Sequence, residues 1–479
     1  MLTSNSRFRF CLSVVLVSFL GLLILPVTSM AQTHCGTAVL RSLFDSIKKE
    51  HRGPFPEYKA AKLAEKAEKP VVGTIRKFWA WDLSVQPPAS RHVESLCVAV
   101  TDHAYVFVEK ALVETHFGPE VTATVVKAFE EACPRFDNRG ILDVEYEVFG
   151  TPPDALDNDE KVYIFYSHIA SYGMQGFDGY FNAFNQLPEE VAWANYKQHS
   201  NEVEMLYMNA TGSTPADSTY MLSVLSHEFL HLIHHNYDQE EVSWVDEGIA
   251  EAAMTVCGYF TDGAHLARYC SKPETQLIKG YASYGAVLLF GTYVYEQFGS
   301  SFLTDLVKCK LTGVEGVEAV LKDYGQGDFS TFFHNWAAAN LCAGHLSQTE
   351  GQFSYKSFPI PQVALIDELL TEDSVSISLK SSGLNYIKIE KSDKQLFLTL
   401  SDEEVLNASK VASTKIVDGL TDAIHPSVFF VTSETLALKK LEEINSDDSV
   451  SFEVPMADGF IILSTLDCGS LSFTVSLSS

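Results

Sequence analysis

Alternating apolar and polar positions predict short strands in the first half of the chain, because a strand turns successive side chains to opposite faces. Glu202–Asn209 shows this alternation. Strands are also expected at Phe78–Leu83, Ser95–Val100, Ala104–Glu109, Val144–Val148 and Lys161–Ser167. A helical period covers Pro119–Ala132 and ends before Pro134. The glycine-rich stretch Gly173–Tyr180 is expected to form a turn, since no helix opens after it.

Helical spacing dominates the chain between residues 282 and 341. Apolar residues recur every three or four positions over Ala282–Phe298, Phe302–Leu311, Val314–Asp323 and Phe329–Leu341. Glycines stand where these helices are expected to stop, at Gly299, Gly313 and Gly325. The four segments predict a helical subdomain.

The pattern returns to a period of two after Pro359-Ile360-Pro361, where Ser, Thr, Val and Ile become frequent. The alternating stretches are Ser374–Lys380, Leu384–Lys391, Leu396–Leu400, Ser427–Thr432, Ser449–Val454, Phe460–Thr465 and Ser470–Leu477. Seven short strands predict an all-β, sandwich-like domain over residues 359–479. The fold class expected for the whole chain is α+β.

Residues 1–31 have the features of a signal peptide. Arg7 and Arg9 precede the apolar run Cys11–Leu25, and Ser29-Met30-Ala31 offers a small-residue cleavage site before Gln32. An uncleaved membrane anchor is the alternative, but the run is short for a span and Pro26 follows it. No later run reaches spanning length. The protein is therefore expected to be secreted, in the extracellular space, the periplasm or at the cell surface.

The segment between the leader and Pro70 has a helical pattern that becomes increasingly charged. Its last part, Glu57–Lys69, is rich in Ala, Lys and Glu. Such a run is typical of a solvated helix, and a linker resembling a pro-segment is also consistent with it.

Charge and cysteine content narrow the possible partners. The chain has 62 acidic against 34 basic residues, a net charge of -28, which disfavours nucleic acid and anionic membranes as partners. Apart from Cys11 in the leader, eight cysteines remain: Cys35, Cys97, Cys133, Cys257, Cys270, Cys309, Cys342 and Cys468. An even number in an exported chain predicts disulfides, although the sequence does not determine their connectivity. Cysteine ligation of zinc is the competing interpretation, but the sequence contains no Cys-x-x-Cys pair that would indicate it.

The strongest chemical signal is the pentapeptide His227-Glu228-Phe229-Leu230-His231. On a helix, residues four apart share a face, so His227 and His231 can bind one metal ion with Glu228 beside it. The apolar residues around them predict a buried setting. His235 continues the same helical phase, but it is expected to end the helix, where a cation suits the dipole.

A catalytic zinc ion needs three protein ligands and leaves a fourth position to water. The third ligand is expected to be Glu247, in Ser243-Trp244-Val245-Asp246-Glu247-Gly248-Ile249-Ala250-Glu251. The fifteen intervening residues allow a helix end, a loop and the start of a second helix packed across the first. Glu251 falls one turn later on the same face, where it could accept the distal N–H of a zinc-bound histidine.

These residues resemble the gluzincin metallopeptidases, and more narrowly the secreted bacterial hyicolysin-like group. The resemblance rests on Leu225–Ile233, on Trp244–Glu251 and on Tyr284-Gly285-Ala286-Val287-Leu288-Leu289-Phe290 with Tyr293 following, and covers roughly Leu142–Cys342. A metzincin is disfavoured, because His234 stands where that pattern needs glycine and Tyr237 where it needs a ligand.

The resemblance implies a zincin-like catalytic domain over residues 141–358, with the helical subdomain at its end. The strands and helix that precede it predict an N-terminal α+β region over residues 32–140. It also implies an edge strand near the zinc, at Glu202–Asn209, that receives the substrate backbone. A tyrosine after the second helix would stabilise the oxyanion, with Tyr284 as the candidate and Tyr281 as its competitor.

A second, weaker cation site is suggested by the acidic loop Asp154-Ala155-Leu156-Asp157-Asn158-Asp159-Glu160. Clustered carboxylates can bind Ca²⁺, but the EF-hand spacing is absent and an ordinary polar turn has the same composition.

The function expected from these features is a secreted zinc endopeptidase that acts on proteins or peptides. Zinc would activate water, with Glu228 as the general base. The alternative is an exported surface-binding or adhesin-like protein with a structural zincin domain. The presence together of His227, Glu228, His231, Glu247 and Glu251 favours the enzyme.

Overall fold

The computed structural model describes most of the chain after residue 69, together with a short N-terminal piece. The described residues are 33–35, 37, 69–85, 88–154, 156–173, 176–260, 263–279, 283–347, 349–366, 374–401, 416–417, 420–421, 426–445, 450–466 and 470–479. The expected leader, most of the charged segment before Pro70, Tyr281 and Cys468 lie outside them.

The described elements mix strands and helices, which confirms the α+β class. The strands are β1 Thr33–His34, β2 Ile75–Asp82, β3 Ala89–Val100, β4 Ala104–Glu109, β5 Val162–Ser167, β6 Gly176–Phe177, β7 Gly179–Phe181, β8 Met205–Asn209, β9 Ser374–Lys380, β10 Leu384–Ile389, β11 Leu396–Ser401, β12 Ile416–Val417, β13 Leu420–Thr421, β14 Ser427–Thr432, β15 Leu438–Lys440, β16 Glu443–Asn445, β17 Val450–Val454, β18 Gly459–Ser464 and β19 Ser470–Ser478.

The helices include one at each position where the sequence predicts one among the described residues. They are α1 Pro119–Glu130, α2 Ile141–Phe149, α3 Glu189–Tyr196, α4 Thr219–Tyr237, α5 Ser243–Cys257, α6 Gly263–Ser271, α7 Tyr284–Phe298, α8 Ser300–Lys308, α9 Gly313–Asp323 and α10 Phe329–His345. Within the described part of the chain, no helix is both long and apolar enough to cross a membrane.

A six-stranded mixed sheet carries the first half of the described chain, in the order β2-β3-β4-β5-β8-β7. Strands β4, β5 and β8 run parallel, and β7 is an antiparallel edge strand. Strands from both sides of the expected boundary between residues 140 and 141 therefore belong to one sheet. Strands β4 and β5 lie on opposite sides of this boundary in the sequence, but they are hydrogen-bonded neighbours in the sheet. The two regions therefore share one sheet.

The prediction of a strand at Val144–Val148 is wrong, because these residues lie within α2. The alternating pattern Val-Glu-Tyr-Glu-Val covers only five residues, which is too short to separate a period of two from a period of 3.6. Gly150 has a φ of 104° and follows the helix directly. The helix buries Glu145, whose carboxylate accepts a 2.6 Å hydrogen bond from Ser226 of α4.

The edge strand was also misplaced by sequence reasoning. Strand β8, which forms the end of the predicted Glu202–Asn209, has neighbours on both sides, and β7 covers the edge instead. The stretch predicted as a turn, Gly173–Tyr180, contains β6 and the first two residues of β7. Two and three residues are too short for alternation to show in the sequence.

Helices α5 and α7 cross unusually closely, and the crossing includes the turn of α5 that carries Glu247. A Cβ atom on Gly291 would lie 2.0 Å from the carbonyl oxygen of Gly248. A Cβ atom on Gly248 would lie 2.6 Å from Cδ1 of Phe290. Both glycines are thus required by contact between the two helices.

The loop between α4 and α5 is anchored by the buried side chain of Glu241. Its Oε1 atom accepts hydrogen bonds from the backbone N–H groups of Gly313 (2.8 Å) and Val242 (2.7 Å). Burial raises the pKa of Glu241 to about 7, although the two hydrogen bonds oppose the rise. The anchor connects the start of α9 to the segment that enters α5.

The C-terminal strands form two main antiparallel sheets, in the orders β10-β18-β14-β15 and β16-β17-β11-β19-β9. All seven predicted strands are confirmed, with their ends shifted by at most two residues. Buried side chains from both sheets form one apolar core. The first sheet also packs against the helices: Tyr386 donates a 3.0 Å hydrogen bond to the carbonyl oxygen of Ala337, and His334 Nε2 lies 2.8 Å from Ser464 Oγ.

Replacement of Gly291 by alanine should destabilise the protein by about 1–3 kcal/mol, because the added methyl group forces α7 away from α5. Urea unfolding would measure the loss. Gly263→Ala is the matched control: Gly263 is exposed with open space around its Cβ position, and the change should stay within about 0.5 kcal/mol. Equal stability of the two variants would contradict the close crossing.

Replacement of Glu241 by glutamine should alter how stability depends on pH. A raised carboxyl pKa stabilises the fold below the unfolded-state pKa near 4.5, and that contribution is lost as pH rises through about 7. The variant should therefore gain about 2–3 kcal/mol relative to the parent between pH 5 and 8. Unfolding would be followed with a chelator present, to exclude metal binding. Glu240→Gln, at an exposed neighbouring position, should follow the parent, and parallel curves for Glu241→Gln and the parent would contradict the assignment.

Candidate metal centre

Helix α4 carries the first two candidate ligands in a fully buried setting. Its N-terminus is capped by Ser218, whose hydroxyl accepts a 3.2 Å hydrogen bond from the N–H of Met221. Every residue from 221 to 234 is buried, so the helix passes through the core. His227 and His231 face the same side, and their Nε2 atoms are 3.1 Å apart.

Helix α5 supplies the third candidate ligand. Glu247 Oε2 lies 3.1 Å from His227 Nε2, and Oε1 lies 3.7 Å from His231 Nε2. All three residues are at most 3% exposed. The structure therefore brings together the residues that the spacing predicted, through two helices that pack against each other.

The donor set of this cluster fits a metal ion. Ligand atoms of His227, His231, Glu247 and also Cys35 all lie within 4.8 Å of one another. Two imidazole nitrogens that face each other at 3.1 Å can direct both lone pairs at a shared cation. Nitrogen, carboxylate oxygen and sulfur are the donors that zinc accepts. A buried Cys/His/Glu cluster capable of holding a metal ion is thus present.

The charge balance favours an ionised carboxylate at Glu247. Burial by itself would raise the pKa of Glu247, but the neighbouring His231 and His227 more than offset it and lower the pKa to about 2. Burial opposes protonation of His231, yet Asp246 and Glu247 raise its pKa well above the ordinary value. The buried carboxylates thus create a strong preference for positive charge at the cluster.

Two further carboxylates contact the outer nitrogens of the histidines. Glu251 Oε1 lies 3.6 Å from His227 Nδ1, the side on which the sequence placed a supporting group. Asp246 Oδ2 lies 3.1 Å from His231 Nδ1, and its Oδ1 lies 2.6 Å from His234 Nδ1. Sequence reasoning missed Asp246, although it directly precedes Glu247. Its role depends on how α5 crosses α4, which residue spacing alone does not show.

Glu228 lies beside the converging ligand atoms without belonging to them. Its Oε2 accepts a 2.8 Å hydrogen bond from the hydroxyl of Thr37. Burial raises the pKa of this carboxyl, and the nearby His231 and His227 partly counter the rise. A Cβ atom on Gly179 would lie 2.8 Å from Glu228 Cγ, so glycine in β7 makes room for the side chain.

Tyr284, the candidate oxyanion donor, is the first residue of α7 and lies next to the cluster. Its ring centroid is 6.4 Å from that of His227. Its hydroxyl donates a 3.3 Å hydrogen bond to the carbonyl oxygen of Cys35. The competing Tyr281 lies outside the described residues.

The N-terminal segment, here residues 33–35 and 37, reaches this site from far away in the sequence. Strand β1 pairs in parallel with β6, with Thr33 opposite Gly176 and His34 opposite Phe177. Cys35 Sγ lies 3.8 Å from His231 Nε2. The hydroxyl of Thr37 accepts a 2.8 Å hydrogen bond from the N–H of Phe181, in the edge strand β7. Sequence reasoning placed Cys35 among the disulfide candidates and did not include it among the metal ligands.

The expected disulfides do not form among the described cysteines. Cys35, Cys97, Cys133, Cys257, Cys270, Cys309 and Cys342 are free thiols in this structure. Cys133 and Cys257 interact directly, and this contact, countered in part by burial, lowers the pKa of the Cys133 thiol to about 7. An even number of cysteines indicates that pairing is possible, but contacts between distant elements decide which thiols meet.

The acidic loop at residues 154–160 lies near the buried Glu204. Burial raises the pKa of Asp157 to about 6. Asp159 accepts a 2.8 Å hydrogen bond from Tyr105 and lies 3.4 Å from the Lys69 ammonium. In the part of the chain that the structure describes, these acids do not converge into a group of three or more ligand atoms. Calcium binding stays a prediction.

Comparison with known proteins identifies no family for this chain. No family model matches it, and no curated protein matches it. Among solved structures, one similar chain is a family GH115 4-O-methyl-α-glucuronidase described as specific for decorated arabinogalactans. It is 10% identical, with 69% of this chain and 53% of that chain covered and a TM-score of 0.14. This chain thus spans about half of that protein's length, and so low a TM-score supports no conclusion about fold or activity.

Proposed function

We propose that the protein is an exported zinc-dependent endopeptidase of the gluzincin type, similar to the hyicolysin-like group. The observation that carries the proposal is the convergence of His227, His231 and Glu247 in a buried space, with Glu228 directly beside them. A zincin-like arrangement is the fold expected for such a pair of helices next to a mixed sheet. The substrate would be a protein or a peptide.

His227, His231 and Glu247 would hold the zinc ion, and Asp246 and Glu251 would orient the two imidazole rings from behind. When bound, zinc polarises a carbonyl group and lowers the pKa of a coordinated water. Glu228 would accept a proton from the attacking water and return it to the leaving amine. Burial, which raises the pKa of Glu228, favours uptake of a proton by this carboxylate.

The edge strand β7 supports a role in binding an extended peptide. One side of β7 is paired with β8. On the other side the N–H of Phe181, which bonds Thr37 in this structure, is a main-chain donor that an added strand could use. Such pairing recognises the backbone and tolerates varied side chains. The Tyr284 hydroxyl already donates to a peptide carbonyl, that of Cys35, which supports a role in binding a carbonyl oxygen next to the metal centre.

A structural metal site in an exported surface-binding protein is the second candidate, and one observation favours it. Structural zinc sites are closed by four protein ligands, and Cys35 brings the number of converging donors to four. A purely structural site has no need for a buried carboxylate at Glu228 or for a tyrosine hydroxyl directed at the same place. We therefore prefer the peptidase.

Zinc content should separate the roles of the acidic residues. His231→Ala and Glu247→Ala should lose tightly bound zinc, because each removes a ligand. Glu251→Ala and Asp246→Asn should weaken zinc binding by roughly 10–100-fold without emptying the site. Titration in one buffer, after dialysis and metal analysis, would measure all four. A larger loss for Glu251→Ala than for Glu247→Ala would mean that the third ligand is misassigned.

Hydrolysis of peptides should depend on Glu228. Glu228→Gln preserves size and leaves the three ligands in place, but it removes the base, so cleavage should fall by on the order of 10²-fold or more. Mass-mapped cleavage of an unbiased peptide mixture provides the assay, with zinc content as the control for folding. Because Cys35 lies against the site, the change is made both in the parent and in a Cys35→Ser background. In each background, the Glu228→Gln protein is compared with the protein that keeps Glu228. Cleavage rates within a few-fold of each other would exclude this role.

A further inference from the structure

We propose that Cys35 is a fourth ligand of the metal centre and that the N-terminal segment keeps the peptidase latent by occupying its substrate side. The inference rests on the proposed function and adds a means of control to it. It stands on contacts that the segment makes with four separate parts of the site.

The first contact is with the metal centre itself. Cys35 Sγ lies 3.8 Å from His231 Nε2, and its sulfur belongs to the group of donors that lie within 4.8 Å of one another. A catalytic zinc site keeps its fourth position open for water, whereas a bound thiolate fills that position. Ligation by Cys35 would therefore exclude the nucleophile from the site.

The second and third contacts are both made by Thr37. Its hydroxyl donates to Glu228 Oε2 at 2.8 Å and accepts from the N–H of Phe181 at 2.8 Å. The first bond occupies the carboxylate that would take the proton from water. The second occupies a backbone donor of β7 that would pair with a substrate.

The fourth contact places a peptide carbonyl beside the candidate oxyanion donor, since Tyr284 donates to the carbonyl oxygen of Cys35. Pairing of β1 with β6 holds the preceding residues in an extended conformation. A thiol that happened to lie near the histidines would have no reason to engage the base, the edge strand and the tyrosine as well. The segment thus makes the contacts expected of a bound peptide. The Cys35 thiol, however, takes the position of the water that would attack a scissile bond.

Covalent attachment makes such a block effective even if each contact is weak. A tethered group has an effective concentration of about 1 mM, so an intrinsic dissociation constant of about 0.1 mM leaves roughly one site in ten open. Cleavage of the chain beyond Thr37 would remove this advantage and let the segment dissociate. Modification of the Cys35 thiol would release the metal centre by another route.

Cobalt substitution tests the ligand directly, without relying on activity. Co²⁺ bound to a thiolate gives a sulfur-to-metal charge-transfer band in the near ultraviolet. The parent should show the band, and Cys35→Ser should lose it while still binding one Co²⁺. Cys309→Ser is the matched control, because Cys309 is also a half-buried free thiol but lies outside the donor group. A band that persists in Cys35→Ser would overturn the assignment.

Thiol labelling gives an independent measure of the same contact. Iodoacetamide alkylates a thiolate, forming a carbon–sulfur bond with loss of iodide, and peptide mapping locates the product. Labelling of Cys35 should be at least about 10-fold slower in the zinc-loaded protein than after chelation, in line with the fraction of open sites. The rate at Cys309 should change little. Equal rates at Cys35 with and without zinc would contradict ligation.

Activity then decides whether the contact is inhibitory. Cys35→Ser should cleave the peptide mixture about 10-fold faster than the parent, and Thr37→Val, which loses both hydrogen bonds but keeps its shape, should show a smaller rise. Circular dichroism would confirm folding. A parent as active as Cys35→Ser would overturn latency and leave the peptidase proposal standing. A third outcome is that Cys35→Ser loses the cobalt band but no variant cleaves the peptides. That outcome would overturn both the peptidase proposal and latency, and it would support a structural site with Cys35 as a ligand.

Discussion

The candidate metal centre depends on burying several polar and ionisable groups in one small space inside a helix pair. Two imidazoles and one carboxylate converge at 3.1–3.7 Å in a buried position, and three more carboxylates lie around them. Burying such groups costs free energy unless each has a partner of opposite charge or a hydrogen bond. A cation at the point of convergence would meet that demand, and the buried carboxylates explain why positive charge is favoured there.

The position of Glu247, the candidate third ligand, is set by backbone contact between helices and not by the chemistry of its carboxylate. Gly248 follows Glu247 directly, and together with Gly291 it lets α5 and α7 approach to a distance that any side chain would prevent. This approach places the acidic face of α5 against the histidines of α4. Asp246 and Glu251 then reach the two outer imidazole nitrogens from positions on either side of Glu247. Small residues in the core thereby determine the geometry of charged residues at the site.

The site also connects parts of the chain that are far apart in sequence. Thr37 links the N-terminal segment to Glu228, 191 residues later, and to Phe181 in the edge strand. Gly179 in the same strand leaves the space that Glu228 fills. Glu228, the edge strand and the N-terminal segment therefore form one continuous set of contacts, so a change in any of them is expected to affect the other two.

The sequence by itself determined the elements whose patterns are long and local. The i, i+4 spacing of His227 and His231 follows from the helical repeat, and the seven C-terminal strands follow from alternation over five or more residues. Tertiary structure alone decided what short or distant stretches do. Val144–Val148 became helix because its five alternating positions lie inside a longer helical stretch, Ile141–Phe149. Strand β7 became the edge because strand order depends on pairing between distant segments. Asp246 reaches the histidines because α5 crosses α4, and Cys35 reaches them because the N-terminal segment packs against the site. Both arrangements depend on packing between distant segments, which local spacing does not encode.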